Sequence, residues 1–398
     1  MILWSGALSV QSEAVVHTIF LVFTGAAVLA TVALYARQSL LVAYIVLGVL
    51  FGPWGFGLVS DPAVVQEIAH IGIMFLLFLM GLDLDPKELF HMVTKTTTVT
   101  AVSSLLFMLL GGGVAWMFGF SPLECLLIGI AATFSSTIIG LKLLPTTVLH
   151  HQRTGEVIIS ILLLQDLIAI VLLLFLQGGG QEEFELLDFG LFLLSLPALI
   201  LASWLFERYI LMHLIMKFDK IKEYIFLMAI GWCLGVAELA SYLGLSTEIG
   251  AFVAGVALAS SPLGSFIADS LKPLRDFFLV LFFFSLGAGF DLSMLYSVLL
   301  PAAMIAGLML VCKPLVFRWL LLRTGESEKR SHEIGFRLGQ MSEFSLLIAV
   351  LALEVGVISS GASYLIQLST MLTFLASSYI IVMRFPTPIA VTDRLRQD

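Results

Sequence analysis

Gln165 and Asp166 stand side by side inside an otherwise apolar run, ILLLQDLIAIVLLLFL, at 161–176. A run of this length and composition reads as a membrane span, and the carboxylate falls near its middle. A charge at that depth costs several kcal/mol on insertion scales, so such a residue is paired, solvated in a cavity, or used to move ions. The chemistry open to Asp166 is therefore alternate binding of a proton and a monovalent cation. The plainer alternative is an aspartate that only holds helices together. Gln165 adds a carbonyl oxygen without a second titratable proton.

Two further charges lie at comparable depth, Lys313 in LMLVCKPLVF and Glu343 in GQMSEFS. Both are charge-compensating candidates. Lys313 can pair with Asp166 when the cation is absent, or Lys313 and Glu343 can neutralise each other or the dipole ends of broken helices. Uncharged oxygens come from the stretch Thr133-Phe134-Ser135-Ser136-Thr137, whose matching polar interruption is Gly339-Gln340-Met341-Ser342-Glu343-Phe344-Ser345. Thr133, Ser135 and Ser136, with carbonyls freed by a break, can serve a dehydrated cation; the alternative is hydroxyl packing against a neighbouring helix. Glu238, Glu248, Asp83 and Asp291 fall near helix ends and read as interfacial or capping residues.

Of the 398 residues, 60% are hydrophobic and 12% charged. That is about half the charge of a soluble domain, and with repeated apolar runs it gives an all-α polytopic membrane protein. The net charge of -8 carries no nucleic-acid signal, because the basic residues sit in short loops rather than one patch. Cys125, Cys233 and Cys312 lie in separate apolar segments, poor material for disulfides or a metal site. No cleavable signal peptide is apparent, since 1–13 lacks a basic start and the first apolar run reads as a retained helix. No cofactor is expected beyond the transported ions.

Hydropathy and breakers divide the chain into about 13 spans: 14–34, 38–52, 64–82, 95–118, 122–143, 155–177, 188–211, 223–243, 247–260, 271–289, 294–320, 332–355 and 362–384. If they alternate, the loops with Arg37, Lys87, Lys95, Lys142, Arg153, the 208–222 basic residues, Lys272, Arg275, the 318–337 basic residues, Arg384, Arg394 and Arg396 share one side. The opposite loops carry acids such as Asp61, Glu182, Glu183 and Glu185. The positive-inside rule then puts the N-terminus outside and the C-terminus in the cytoplasm.

LVAYIVLGVLFGP from Leu41 resembles IGAFVAGVALASSP from Ile249, and MFLLFLMGLDLDPKEL from Met74 resembles LFFFSLGAGFDLSML from Leu281. The offset of about 207 residues is about seven spans, which inverts the second copy in the membrane. The expected organisation is a 6+1+6 inverted repeat: 1–187 as the first repeat, 188–222 as a linker helix and cytoplasmic loop, 223–385 as the inverted second repeat, and 386–398 as a cytoplasmic tail. Inverted repeats mark secondary transporters, whose sites form where discontinuous helices meet near the midplane.

Four stretches, FSSTIIGLKLL at Phe134, ILLLQDLIAI at Ile161, STEIGAFVAGVALASSP at Ser246 and GQMSEFSLL at Gly339, resemble the monovalent cation:proton antiporter-2 family over nearly the whole chain. Within it the likeness is to Kef-type potassium–proton antiporters. The resemblance implies an NhaA/NapA-like antiporter fold with two crossed, broken helices in a mobile core, elevator-type alternating access, and a homodimer in the bacterial inner membrane. It gives Asp166 the role of binding the proton or the cation, points to K⁺ through the Gln–Asp pair, and matches Lys313 to the intramembrane lysine of several sodium–proton relatives. Kef-type proteins usually continue into a nucleotide-binding domain; here the chain stops about fourteen residues after Arg384 and no G-x-G-x-x-G occurs in a strand–helix context. Regulation is then absent, supplied by a separate subunit, or truncated, and glutathione gating is not carried over.

The expected activity is electroneutral K⁺/H⁺ exchange, one carboxylate for one proton or one cation, with Na⁺/H⁺ exchange on the same fold and a gated K⁺ channel-like protein as alternatives. A protein of this kind is no enzyme. An intramembrane aspartyl protease would need two catalytic aspartates and a Gly-x-Gly-Asp element, whereas only Asp166 is central.

Overall fold

The computed structural model describes residues 2–36, 38–59, 63–83, 86–143, 153–178, 186–218, 220–259, 261 and 263–387. Arg37, Asp61, Glu182, Glu183, Glu185, Arg394 and Arg396, which enter the inside–outside argument, lie outside them, as do the side chains of Asp83, Lys87, Lys95 and Lys142. The described residues form helices joined by short turns and breaks, and among them seven helices are long and apolar enough to cross a membrane. Four shorter apolar helices accompany them. The chain is a multi-pass membrane protein.

Two compact units account for the packing. The first comprises Met1–Val32, Ala43–Glu88 and Gln181–Phe290. It holds most of α1 (Ile2–Tyr35) and of α2 (Leu40–Phe51), with α3 (Ala63–Asp83), α8 (Leu186–Phe206), α9 (Met212–Lys217), α10 (Lys222–Tyr242), α11 (Thr247–Ala259) and α12 (Gly264–Ala288). A π turn at Glu207–Leu211 joins α8 to α9.

Backbone-to-backbone contact at glycine organises this unit. A Cβ at Gly48 of α2 would lie 2.1 Å from Phe284 O of α12, and one at Gly287 would lie 2.0 Å from Ile45 O. The same reciprocity joins α3 and α11: a Cβ at Gly81 would meet Phe252 O at 2.5 Å, and one at Gly255 would meet Phe78 O at 2.1 Å. Lipid offers apolar side chains no reason to leave it, so helices in a membrane associate where small residues let backbones close up. Any larger residue at these four positions would push two helices apart.

The second unit comprises Ala33–Val42, Leu89–Gly180 and Asp291–Asp398. It holds most of α4 (Pro86–Met117), then α5 (Pro122–Thr133), α6 (Thr137–Lys142), α7 (Arg153–Gly178), α13 (Leu295–Arg323), α14 (Glu328–Arg337), α15 (Glu343–Glu354) and α16 (Ser360–Arg384). Gly129 packs its backbone on Met108 O of α4, and Gly335 packs on Pro314 O of α13. Phe107 and Phe317 meet edge to face with centroids 5.4 Å apart.

Every expected interval overlaps a helix or a broken pair of helices. The largest differences are at starts: α1 begins at Ile2 rather than 14, α4 at Pro86 rather than 95 and α12 at Gly264 rather than 271. Hydropathy ends where charge begins, but backbone hydrogen bonding does not, and proline at the first position suits a helix start. Cys125, Cys233 and Cys312 are free thiols.

Candidate ion-binding site

The site is built from two broken helices of the second unit, and each break is made by local chemistry. α5 starts on a capping box: Ser121 Oγ accepts the Glu124 N–H and the Glu124 carboxylate accepts the Ser121 N–H. It stops at Thr133, because Phe134 turns extended at φ -71° and ψ 145°. Three residues later α6 restarts with Ser136 Oγ accepting the Ile139 N–H at 3.1 Å. Serine and threonine hydroxyls compete for backbone groups and favour such ends over helix interiors. α14 ends at Arg337 and α15 begins at Glu343, capped by Ser342, whose Oγ accepts the Phe344 N–H at 3.2 Å.

The two breaks are hydrogen-bonded to each other. Ser135 Oγ donates to Leu338 O at 2.9 Å, Ser345 Oγ to Ala131 O at 2.6 Å, and Gln340 Nε2 to Ser136 O at 3.4 Å. The interrupted backbone is thereby satisfied from across the crossing, without which buried carbonyls and amides would be orphaned in a membrane interior.

α7 brings Gln165 and Asp166 to this meeting point. Gln165 is fully buried and braces the first break from both sides: its Oε1 accepts the Ser135 N–H at 3.0 Å and its Nε2 donates to Thr133 O at 3.2 Å. Asp166 is 6% exposed, and Thr137 Oγ1 donates to its carboxylate, 3.1 Å from Oδ2 and 3.3 Å from Oδ1. Glu343, at the start of α15, is close enough for its charge to act on Asp166.

Lys313 is fully buried on α13, and its ammonium is held by carbonyls of both breaks, Phe134 O at 2.6 Å and Gln340 O at 2.9 Å, with Ser135 Oγ at 3.4 Å. It also lies over the Phe107 ring, 5.4 Å from its centroid. The carbonyls follow the C-terminal ends of α5 and α14, where helix dipoles favour a cation, while Glu343 occupies the N-terminal end of α15, where they favour an anion. Among the described residues no ion pair joins Lys313 to Asp166.

The sequence-derived set is thus gathered around one crossing, with differing hydrogen-bond partners. Thr133 Oγ1 donates to Ile130 O at 2.7 Å, Ser136 caps α6, and Ser135 links the breaks. Thr137, which hydrogen-bonds Asp166, was absent from that set although it ends the same polar stretch. Gln340 was absent too, although it lies inside the interruption on α14 and α15. Arg337, also fully buried, ties three strands of chain together by donating to Glu333 Oε1 at 3.0 Å, Leu143 O at 2.9 Å and Pro386 O at 2.8 Å. By sequence it groups with the basic residues of a loop, and the structure buries it instead.

Chemically, the arrangement is a buried carboxylate beside neutral oxygens, with the neighbouring ammonium engaged elsewhere. No group of three or more His, Cys, Asp or Glu side chains that could hold a metal ion occurs among the described residues. A family model described as "Sodium/hydrogen exchanger, transmembrane" matches residues 19–384. The iron transporter MagA of Paramagnetospirillum magneticum is 28% identical over 349 residues, which span 86% of this chain and 79% of that protein. The solved structure of the sodium proton antiporter MjNhaP1 from Methanocaldococcus jannaschii at pH 8 superposes with a TM-score of 0.68 at 16% identity, covering 93% of this chain and 96% of the other. An electron-microscopy structure of the same antiporter gives a TM-score of 0.61 at 17% identity, covering 92% and 94%. The fold is shared across that distance.

Proposed function

This chain belongs to the sodium/hydrogen exchanger family, and from that premise we propose that it exchanges K⁺ for protons, with Asp166 holding one or the other in turn. The observation that carries this reading is the carboxylate itself: Asp166 is buried at the crossing of two breaks and accepts a hydrogen bond from the neutral Thr137. A buried carboxylate is strongly disfavoured when ionised and unpaired. A bound proton neutralises it in one state and a bound cation in the other, so the core is uncharged whenever it is loaded. One carboxylate then exchanges one proton for one cation, an electroneutral cycle.

K⁺ rests on the Gln165–Asp166 pair, whose likeness is to Kef-type antiporters; Na⁺/H⁺ exchange is the second reading, favoured by the family description. The relative named as an iron transporter adds iron to the test. Thr133, Ser135 and Ser136 lie along the first break and are proposed as neutral donors after rearrangement of their present hydrogen bonds, with Thr137 joining them. Lys313 and Glu343 are proposed to balance the charge of the crossing.

The 6+1+6 inverted repeat draws support from the glycine contacts. α2 packs on α12 while α3 packs on α11, so the second element of each repeat meets the third of the other, as an in-plane two-fold requires. Elevator-type alternating access is supported by the second unit containing Asp166, Gln165, both breaks and Lys313 together, so that one body can carry the whole site. The thirteen crossings, the homodimer, a separate regulatory subunit, the outside N-terminus and the bacterial inner membrane belong to the same proposal.

Purified protein in proteoliposomes tests it, by recording proton flux on addition of K⁺, Na⁺, Li⁺ or Fe²⁺ with Asp166→Asn alongside. Saturable, cation-driven proton movement largest with K⁺ and absent in Asp166→Asn is the expected result. Cation movement that neither saturates nor depends on an opposing proton gradient would mean a channel, and a response to Fe²⁺ alone would reassign the substrate.

A further inference from the structure

Seven buried polar side chains lie on α16, and Ser363, Gln367, Thr370, Thr373 and Ser377 follow one another at spacings of three or four residues along one face. Several of these groups are satisfied locally: Ser369 Oγ donates to Leu365 O at 2.7 Å, and Thr370 Oγ1 donates to Ile366 O at 2.8 Å. Thr370 Oγ1 also lies 3.9 Å from Met341 Sδ, but on α16 only Thr373 and Ser377 bond nitrogen or oxygen atoms of the break between α14 and α15. Thr373 Oγ1 accepts the Met341 N–H at 3.1 Å while donating to Thr370 O at 2.8 Å. Ser377 Oγ donates to Gln340 Oε1 at 2.9 Å.

Met341 N–H and Gln340 C=O belong to one planar peptide unit, and they point in opposite directions. Its N–H end is held by Thr373 and its C=O end by the Lys313 ammonium, at 2.9 Å. The Gln340 side chain is fixed separately, by Ser377 at one end and by Arg337 O and Ser136 O at the other. Resting on the exchange reading above, we infer that Thr373 is a positioning residue for the ion site, acting through the Gln340–Met341 peptide on Lys313, with Ser377 holding the same segment by its side chain. If the hydroxyl is lost, the Met341 N–H is left buried and unpaired, and the peptide turns to find another acceptor. Its carbonyl then leaves Lys313, and the ammonium, left with Phe134 O and Ser135 Oγ, turns part of its bonding capacity on Asp166 in competition with the transported cation.

The test measures cation-driven proton flux in proteoliposomes for Thr373→Val, Thr373→Ser, Ser377→Ala, and Thr373→Val combined with Lys313→Gln. Thr373→Val should raise the apparent KM for the cation roughly tenfold, more than it lowers the maximal rate, and Thr373→Ser should restore most of the affinity. Ser377→Ala should shift KM in the same direction by less. Because the effect runs through Lys313, adding Thr373→Val to Lys313→Gln should change KM little further, a non-additivity expected of groups in one network. Where Thr373→Val fails to fold, Thr373→Ala takes its place with the same readouts. An unchanged KM, no advantage of serine over valine, or a full KM shift in the Lys313→Gln background would each overturn the inference. Absence of cation-driven flux in the wild type would instead sink the exchange reading itself, which keeps the two failures distinct.

Discussion

Asp166 and Lys313 sit within one crossing yet have opposite requirements. Asp166 needs an exchangeable partner, whereas Lys313 already has carbonyls of both breaks. Asn at 166 keeps the volume and the hydrogen bond with Thr137 but binds no proton near neutral pH. Asp166→Asn should therefore fold and lose cation-driven proton flux, and robust exchange by that variant would end the single-carboxylate scheme. In the wild type, proton and cation compete for one group. Apparent cation affinity should rise toward tenfold per pH unit while the proton occupies the site and flatten once it has left; an affinity constant across about pH 5.5 to 9 would contradict this. Lys313→Gln should behave differently, lowering thermal stability while leaving measurable exchange, because its amide can replace only part of the carbonyl contacts. Complete loss of transport in a well-folded Lys313→Gln protein would give Lys313 an obligatory role. At this scale the sequence was informative where hydropathy isolates a charge, as at Asp166, Lys313 and Glu343. Thr137 and Gln340 escaped because nothing local distinguishes the polar residue that meets the carboxylate or the ammonium from its neighbours.

Both breaks were legible for a physical reason: Ser, Thr and Gly clusters inside apolar runs offer the backbone partners that a helix does not need. What the clusters do not carry is the cross-linking, since Ser135 to Leu338 and Ser345 to Ala131 join residues over two hundred positions apart. The outer ends of these elements are tied as well. Glu124 in α5 accepts from both the backbone N–H and the hydroxyl of Ser359 ahead of α16, at 3.0 Å and 2.5 Å. Glu326, in the turn after α13, accepts from Arg153 Nε at the start of α7 at 2.7 Å and from Arg330 Nη1 of α14 at 2.5 Å. Burial alone would raise the Glu326 pKa, but hydrogen bonds from Arg330 and Arg153 outweigh it and hold the carboxyl below its ordinary value. A depressed folded-state pKa stabilises above the unfolded value and loses that contribution as pH falls through the folded one. Glu326→Gln should therefore lower Tm by a few degrees at neutral pH, with the gap to wild type closing below about pH 4.5. The two arginines are partly exposed, so salt should narrow the gap too. A difference in Tm that persists unchanged into acid would show that packing, not charge, joins α7 to the turn.

On the scale of the whole molecule, the helices group by packing and not by order along the chain. The first unit takes α1 to α3 from early in the chain and α8 to α12 from its middle, while the second unit takes α4 to α7 and α13 to α16. Hydropathy set the helices out in order but is silent on partners, because an apolar face is equally at home against lipid or protein. The glycines were the exception, since Gly48 and Gly255 stand at matching places in the repeated segments and each forms a close backbone contact. If the second unit carries the site as one body, distances inside it should stay fixed through the transport cycle while distances to the first unit change. Trp116 on α4 and Tyr296 on α13 are exposed members of the second unit, and Tyr242 on α10 is an exposed member of the first. With Cys125, Cys233 and Cys312 replaced, spin labels at 116 and 296 should report one distance distribution in acid without cation and in alkali with saturating K⁺. Labels at 116 and 242 should report two distributions, or one whose mean shifts by several ångströms between those conditions. The Asp166→Asn background supplies the control, because its site neither loads a proton nor releases one and the shift should no longer follow pH. A change between 116 and 296 as large as that between 116 and 242 would mean that the second unit deforms around the crossing, and alternating access would then have to come from the broken helices themselves.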